Sequence, residues 1–378
     1  MELFGQSISK EDLLRRVGDI SQIAAVTPVT LKDGVSAGVD AVTFRTGSGF
    51  SFVALPGRGL DISWAEYQGL PLCWRSPTGE VAAAFYEPNG KGWLRSFYGG
   101  LFVTCGLSAA GQPSTDDGEQ FGLHGRVANL PASRVQADAV WEGETYRMWV
   151  QGKVRETSAL GNTLELSRKI ETWLGESRLA VTDVVENLGS KPTAHMYRYH
   201  INAGFPILSA DSQLVAPVES VSPRDEASAA GLADWNRFSH PETDYTEQVF
   251  YLDFAPDEDG TATVALINPD RGGGHPFGLY VKYLYEPLQR FVLWKMLGAG
   301  DYAVGLEPSN CYDEGRAAER ARGSLVELAP GEQRSYHMEI GVLDSEESIE
   351  SMLRRGHESP RLESSNDHPR PERRRNGV

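Results

Sequence analysis

Glu307 stands in the run Tyr302-Ala-Val-Gly-Leu-Glu-Pro-Ser-Asn-Cys311, between a strand-like apolar stretch and a Pro-Ser-Asn turn. A carboxylate at a strand end, where it need not be buried in a core, is a ready general base, provided that it is ionised near neutral pH. Three more segments carry side chains fit for chemistry: Phe121-Gly-Leu-His124-Gly-Arg126, Tyr199-His200-Ile-Asn202 and Leu55-Pro-Gly-Arg58-Gly-Leu-Asp61-Ile. One base, two imidazoles and two guanidinium groups are suited to moving protons on a polyol, because imidazole changes charge close to neutral pH.

The elements that hold these groups follow from local pattern. If Ala194 to Asn202 is extended, successive side chains alternate between faces, so His200 shares a face with Arg198 and Asn202. His195 then shares the other face with Tyr197 and Tyr199. A polar face of this kind suits a cleft. In 121–126 two glycines allow a tight backbone that leaves His124 and Arg126 projecting from a loop. Arg58 and Asp61 share one hairpin turn, where Asp61 is expected to pair with Arg58 and orient it.

Period-two alternation recurs between these segments. Tyr336, Met338, Ile340 and Val342 alternate with Ser335, His337, Glu339 and Gly341, and Leu279, Val281 and Tyr283 repeat the pattern of a half-buried strand. Among 378 residues, 40 glycines and 21 prolines mark frequent turns, and many short strands with regular turns imply a sandwich or a barrel. Two short helices are predicted outside this β-rich middle, one after an N-cap at Ser9 and one from Ser345. Nothing resembling a linker divides the chain, so residues 1–357 read as one domain. The polar, Pro- and Arg-rich stretch 358–378 reads as a disordered tail, and Arg271-Gly-Gly-Gly-His275 as a loop.

Composition narrows the partners. A formal charge of −16 disfavours nucleic acid and anionic membranes, both of which call for basic surfaces. Cys73, Cys105 and Cys311 are odd in number and lack metal-ligand spacing, so reduced buried thiols are expected, with neither a disulfide framework nor a structural metal. No signal-like segment and no apolar stretch of about 18 residues is present, which makes the cytoplasm the expected location. The sequence also lacks a phosphate loop between strand and helix and a Gly-x-Ser-x-Gly elbow, which disfavours dehydrogenase and hydrolase chemistry.

Taken together, the Arg-Gly-x-Asp-Ile, His-Gly-Arg, His-x-Asn and Leu-Glu-Pro segments resemble the galactose mutarotase-like superfamily, and its aldose 1-epimerase-like branch in particular, over roughly residues 20 to 345. The resemblance implies a large antiparallel β-sandwich with a sugar in an open cleft and no cofactor. It implies that Glu307 is the base, that His200 is the acid protonating the sugar ring oxygen, and that His124 is a second imidazole beside it. Arg58 would reach sugar hydroxyls, and Arg126 would be a branch-specific ligand contact. From the residues themselves, Trp294 offers a ring to stack on a pyranose, with core packing as the alternative, Lys295 offers a donor to a hydroxyl, and Arg198 and Asn202 lie beside His200. The family's hydroxyl-holding aspartate has no motif here; Asp234, Asp244 and Asp253 are the candidates. The expected partner is a small-molecule carbohydrate, and assembly into a homo-oligomer stays open. Two alternatives also remain open: a non-catalytic sugar-binding or regulatory protein, and an epimerase for an acidic sugar held by Arg58, Arg126 and Arg198.

Overall fold

Alternating exposure along the strands builds a sandwich. In the computed structural model, which describes residues 1–270, 275–355 and 360–364, an eight-stranded sheet faces a twelve-stranded one. Val150, Val181 and Ile340 from the smaller sheet share one buried apolar cluster with Phe52, Ile62 and Ile201 from the larger, as expected where two inner faces interdigitate. Pairing within both sheets is antiparallel, except that Arg361–Leu362 lies parallel to Val218–Pro223 at one edge. The period-two segments are strands: Gln333–Leu343 buries Tyr336, Met338 and Ile340, and Phe277–Leu284 buries Leu279, Val281 and Tyr283.

The short helices occupy Lys10–Leu14, where the Ser9 hydroxyl accepts from the Asp12 amide, and Glu346–Arg355. Of the expected tail, residues 360–364 are described and include the edge strand; 358, 359 and 365–378 lie outside the described residues, as do 271–274 of the expected loop. Among the described residues no helix is long and apolar enough to cross a membrane.

At the middle of the larger sheet, Arg290–Leu297, Tyr302–Ser309, Met196–Gly204 and Phe102–Leu107 lie side by side. All nine residues of Met196–Gly204 are buried. Tyr197, Tyr199 and Ile201 point into the sandwich core, so Arg198, His200 and Asn202 point out of the opposite face.

Charge anchors the inward face. Arg168, on the strand Thr163–Trp173 of the smaller sheet, spans the gap between sheets: Nη1 donates to Asp61 Oδ1 at 2.6 Å, while Nε and Nη2 donate to Asp183 at 2.9 and 2.7 Å. Asp183 also accepts from the hydroxyls of Tyr197 and Tyr199 at 2.6 and 2.5 Å, and Asp61 from the amide and hydroxyl of Thr104 at 3.0 and 2.5 Å. Burial pushes the Asp61 carboxyl up and Arg168 pulls it back. Such a cluster is tolerable because nearly every polar atom has a partner.

The hairpin pairing of Arg58 with Asp61 is therefore corrected: Asp61 belongs to Arg168. Arg58 is itself 1% exposed and donates to the backbone carbonyls of Ala128 at 2.7 Å, Ser96 at 3.0 Å and Val81. It ties down the segment around Trp93 and Phe97 instead of reaching a ligand.

Replacing Arg168 by Met strands two carboxylates in the core, so urea unfolding should show a loss of about 3–5 kcal/mol. A loss below about 1 kcal/mol, the scale of a surface ion pair, would contradict the anchoring role.

Candidate active site

A cleft opens on the outward face of the larger sheet, with His200, Glu307 and Asp313 deep in it and Trp93, Phe97, His124 and Trp294 around it. Strand register explains the floor. Ile201 lies opposite Leu306 and Arg198 opposite Ser309, which sets His200 across from Glu307 with both side chains on one face. Their reactive atoms, His200 Nε2 and Glu307 Oε1, are 3.3 Å apart. Two residues before Glu307, Gly305 makes room: a Cβ there would meet Glu307 Oε1 at 2.4 Å and Trp294 Cβ at 3.0 Å.

Beneath the floor, Arg198 is fully buried. Its Nη1 donates to Asp313 Oδ1 at 2.6 Å and to Glu307 Oε2 at 3.1 Å. Asp313 Oδ2 accepts from Arg224 at 3.0 Å and from Gln112 at 3.3 Å. Arg224 is bonded in turn to Glu247 at 3.0 Å, and the other oxygen of Glu247 accepts from the Trp294 indole at 3.0 Å.

Two carboxylates thus compete for one buried guanidinium. Burial opposes ionisation of both, but Asp313 has the shorter bond and a second arginine, which together hold its carboxyl below the usual carboxylate range. Burial wins at Glu307, 1% exposed, and its carboxyl is pushed up to about 8 despite Arg198. The expectation of an unburied base is corrected accordingly: Glu307 lies inside the strand Tyr302–Ser309, where burial favours its protonated form. Both imidazoles are driven towards the neutral form by burial, His124 down to about 4 and His200 well below its ordinary value.

His124 reaches the cleft from its loop. Its φ is +56°, Gly125 follows at +75°, and its amide donates to Gly111 O at 2.9 Å. A Cβ on Gly125 would meet the carbonyl oxygens of Ala109 at 2.2 Å and Gly106 at 2.4 Å, so only glycine permits this close approach. The His124 ring stands perpendicular to that of His200 at 5.7 Å and lies 4.6 Å from Trp93. Trp294 flanks His200 at 5.4 Å on another side.

The structure thus gathers Glu307, His200, His124 and Trp294 in one cleft, and it separates the other candidates. Arg58 and Asp61 lie elsewhere, as described above. Arg126 is exposed and lines a different, polar cleft with Asp116, Glu156 and Lys191. Lys295 faces away from Trp294, as strand neighbours must; its Nζ donates to Asp234 O at 2.9 Å, and burial pushes its ammonium down to about 8. Arg198 sits behind the floor with its Nη1 engaged, and Asn202 bonds to backbone without lining the cleft. His195 is a buried core residue whose ring meets Tyr336 Oη at 2.6 Å.

Sequence reasoning missed Asp313, Arg224, Glu247, Gln112 and Trp93. The candidate aspartates Asp234, Asp244 and Asp253 precede Glu307 and do not line the cleft, whereas Asp313 does, six residues after Glu307. The turn after the strand Tyr302–Ser309 was the one available signal, because such a turn folds back over the strand end. Among the described residues no group of three or more His, Cys, Asp or Glu side chains is arranged to hold a metal ion.

Residues 36–342 match the family model described as "Domain of unknown function (DUF4432)", and the chain belongs to this family. The chain is similar to a protein from Klebsiella pneumoniae subsp. pneumoniae MGH 78578 solved as a "putative aldose 1-epimerase": TM-score 0.86, 25% identity, covering 96% of this chain and 94% of that one. A galactose mutarotase-like protein from Clostridium acetobutylicum shares the fold at TM-score 0.59 and 12% identity, covering 86% of this chain and 100% of that one. So does a galactose 1-epimerase from Lactobacillus acidophilus NCFM, at TM-score 0.53 and 14% identity, covering 85% and 99%. No curated protein matches the chain.

The state of Glu307 has a signature in stability. Between the ordinary carboxyl value of 4.5 and about 8, the folded chain keeps a proton that the unfolded chain has lost, so stability falls as pH rises through that window and levels off above it. Glu307→Gln cannot ionise. The unfolding free energy of wild type relative to this variant should therefore decline from pH 4.5 to 8 in urea titrations; a flat or rising difference would show Glu307 ionised.

Proposed function

We propose that this member of the DUF4432 family is an aldose 1-epimerase, an isomerase that binds a small-molecule carbohydrate in the cleft and interconverts its anomers by acid–base ring opening. One observation carries the reading: a carboxyl oxygen and an imidazole nitrogen lie 3.3 Å apart on a buried floor, spaced to serve the two oxygens attached to one anomeric carbon. Glu307 takes the proton of the anomeric hydroxyl and His200 gives one to the ring oxygen. The bond from the anomeric carbon to the ring oxygen breaks, the aldehyde turns, and the reverse steps close the ring on its other face. No atom changes oxidation state, so the reaction itself calls for no redox partner.

Proton count fits this scheme. A neutral carboxyl beside a neutral imidazole carries the same single proton as a carboxylate beside an imidazolium, and the second arrangement is the one that reacts. Passing the proton from Glu307 to His200 converts one into the other, with Arg198 ready to stabilise the carboxylate. His124 lies beside the ring oxygen, and Trp294 offers a flat face for the C–H surface of a pyranose, while Trp93, stacked on Phe97, backs His124. Arg224, Glu247 and Gln112 supply donors and acceptors for hydroxyls. The acidic-sugar alternative loses its original basis, since Arg58 and Arg126 lie outside the cleft and Arg198 is held behind Glu307 and Asp313. A neutral aldose is the proposed substrate.

Glu307→Gln keeps the shape of the site but cannot accept the anomeric proton. Exchange of anomers followed by NMR should slow by about 10²-fold or more while sugar binding persists. Equal acceleration by wild type and variant would remove Glu307 from the mechanism, and no acceleration by wild type on neutral or acidic aldoses would favour a binding protein. The pH dependence is signed as well: the Glu307–His200 pair must hold one proton, so the rate with free enzyme should fall as pH rises through about 8. A rate that climbs through this range would contradict the shared-proton scheme.

A further inference from the structure

We infer that Glu247 is a positioning residue: it holds the indole of Trp294 in place as the wall against which a sugar is seated, and so governs affinity more than rate. Trp294 Nε1 donates to Glu247 Oε2 at 3.0 Å. The other oxygen of Glu247 accepts from Arg224 Nη2 at 3.0 Å, and Arg224 is held in turn by Asp225 through Nε at 2.8 Å and by Asp313 through Nη1 at 3.0 Å. Through Glu247 and Arg224, the indole is thus tied to the same Asp313 that braces the cleft floor. Only a carboxylate suits this place, because it must accept on both sides. An amide would turn its NH2 towards either the indole or Arg224, and both of these are donors.

Strand register explains both the reach of Glu247 and the need for it. Val249 lies opposite Trp294 on the strand Gln248–Phe254, so Glu247, two residues earlier, is a diagonal neighbour of Trp294 within reach of a long side chain. On the other flank Trp294 lies opposite Gly305, which has no side chain to steady the ring. The space there belongs to the cleft floor, since a Cβ on Gly305 would meet Glu307 Oε1 at 2.4 Å. An indole that swung towards Gly305 would crowd Glu307 and His200. The His200 ring is 5.4 Å away and that of Trp74 6.5 Å away, both at steep angles to the indole, so neither is stacked on it. These contacts limit the ring without orienting it. The bond to Glu247 is directional, and it draws the half-buried indole to the side away from the Glu307–His200 pair.

The consequence for affinity rests on the epimerase reading; the tether does not. In the full chain labelled with nitrogen-15, the indole N–H of Trp294 can be assigned among the eight tryptophans by its loss in Trp294→Phe. It should resist exchange with water in wild type and lose that protection in Glu247→Leu; rapid exchange in wild type, or protection kept in the variant, would overturn the tether. With D-glucose and D-galactose as probes, Glu247→Leu should raise KM for anomer exchange about tenfold, the scale of one hydrogen bond to a charged group, with kcat within about twofold. In a Trp294→Phe background, which keeps a ring but has no N–H to donate, the same change should raise KM by about twofold or less. A full tenfold rise in that background would mean that Glu247 acts on the sugar directly, and a fall in kcat at unchanged KM would mean that it acts on the floor; either result overturns the inference. Should Glu247→Leu fail to fold, Glu247→Gln keeps the shape but satisfies only one of the two donors. It should raise KM in wild type and not in Trp294→Phe, and an unchanged KM would overturn the inference. If wild type exchanges the anomers of neither probe, the epimerase reading fails while the indole measurement still decides the tether.

Discussion

A single buried guanidinium governs how this site can be built. Arg168 draws Asp61 from one sheet and Asp183 from the other onto the same cation, and Asp183 in turn holds the hydroxyls of Tyr197 and Tyr199. Those tyrosines occupy alternate positions on Met196–Gly204. Once they are fixed inward, the pleat leaves no choice for the intervening side chains, and Arg198, His200 and Asn202 must face the cleft side. The ion cluster is thus a device for setting strand orientation and register. A slip of one residue in this strand would turn His200 into the core, and the apolar contacts of the sandwich alone would resist it less specifically than a hydrogen-bonded charge cluster.

The outward face repeats the device with a different outcome. Arg198 is shared between Asp313 and Glu307, but the sharing is unequal because Asp313 also holds Arg224. One carboxylate is thereby committed to charge and structure, and the other is left able to gain and lose a proton near physiological pH. Unequal environments around like groups are a common route to separate acid–base roles. Gly305 belongs to the same arrangement, since the space where a side chain would sit is taken by Glu307 Oε1.

Much of the fold was legible in the sequence because it depends on local pattern. The alternation in Gln333–Leu343 and Phe277–Leu284 and the Ser9 cap need no knowledge of distant partners. The pairing of His200 with Glu307 in one cleft was legible only through the resemblance of short motifs. What the sequence withheld depends on three-dimensional neighbours. Arg58 and Asp61 are three residues apart and look like partners, but each is claimed by groups far along the chain. Arg224 and Glu247 adjoin strand ends and Asp313 lies in the turn after Tyr302–Ser309, where no periodicity marks them. Lys295 was legible in principle, since a residue next to Trp294 on one strand cannot share its face.

The most direct test of the account is saturation-transfer NMR between the two anomeric protons of free aldoses, neutral and acidic, with the methyl glycosides of the same sugars as controls. A glycoside has no anomeric hydroxyl proton to give, so it should bind in the cleft without exchanging. The account predicts transfer above the buffer rate for at least one free aldose and none for its glycoside. Absence of acceleration for every aldose that demonstrably binds the cleft would contradict it.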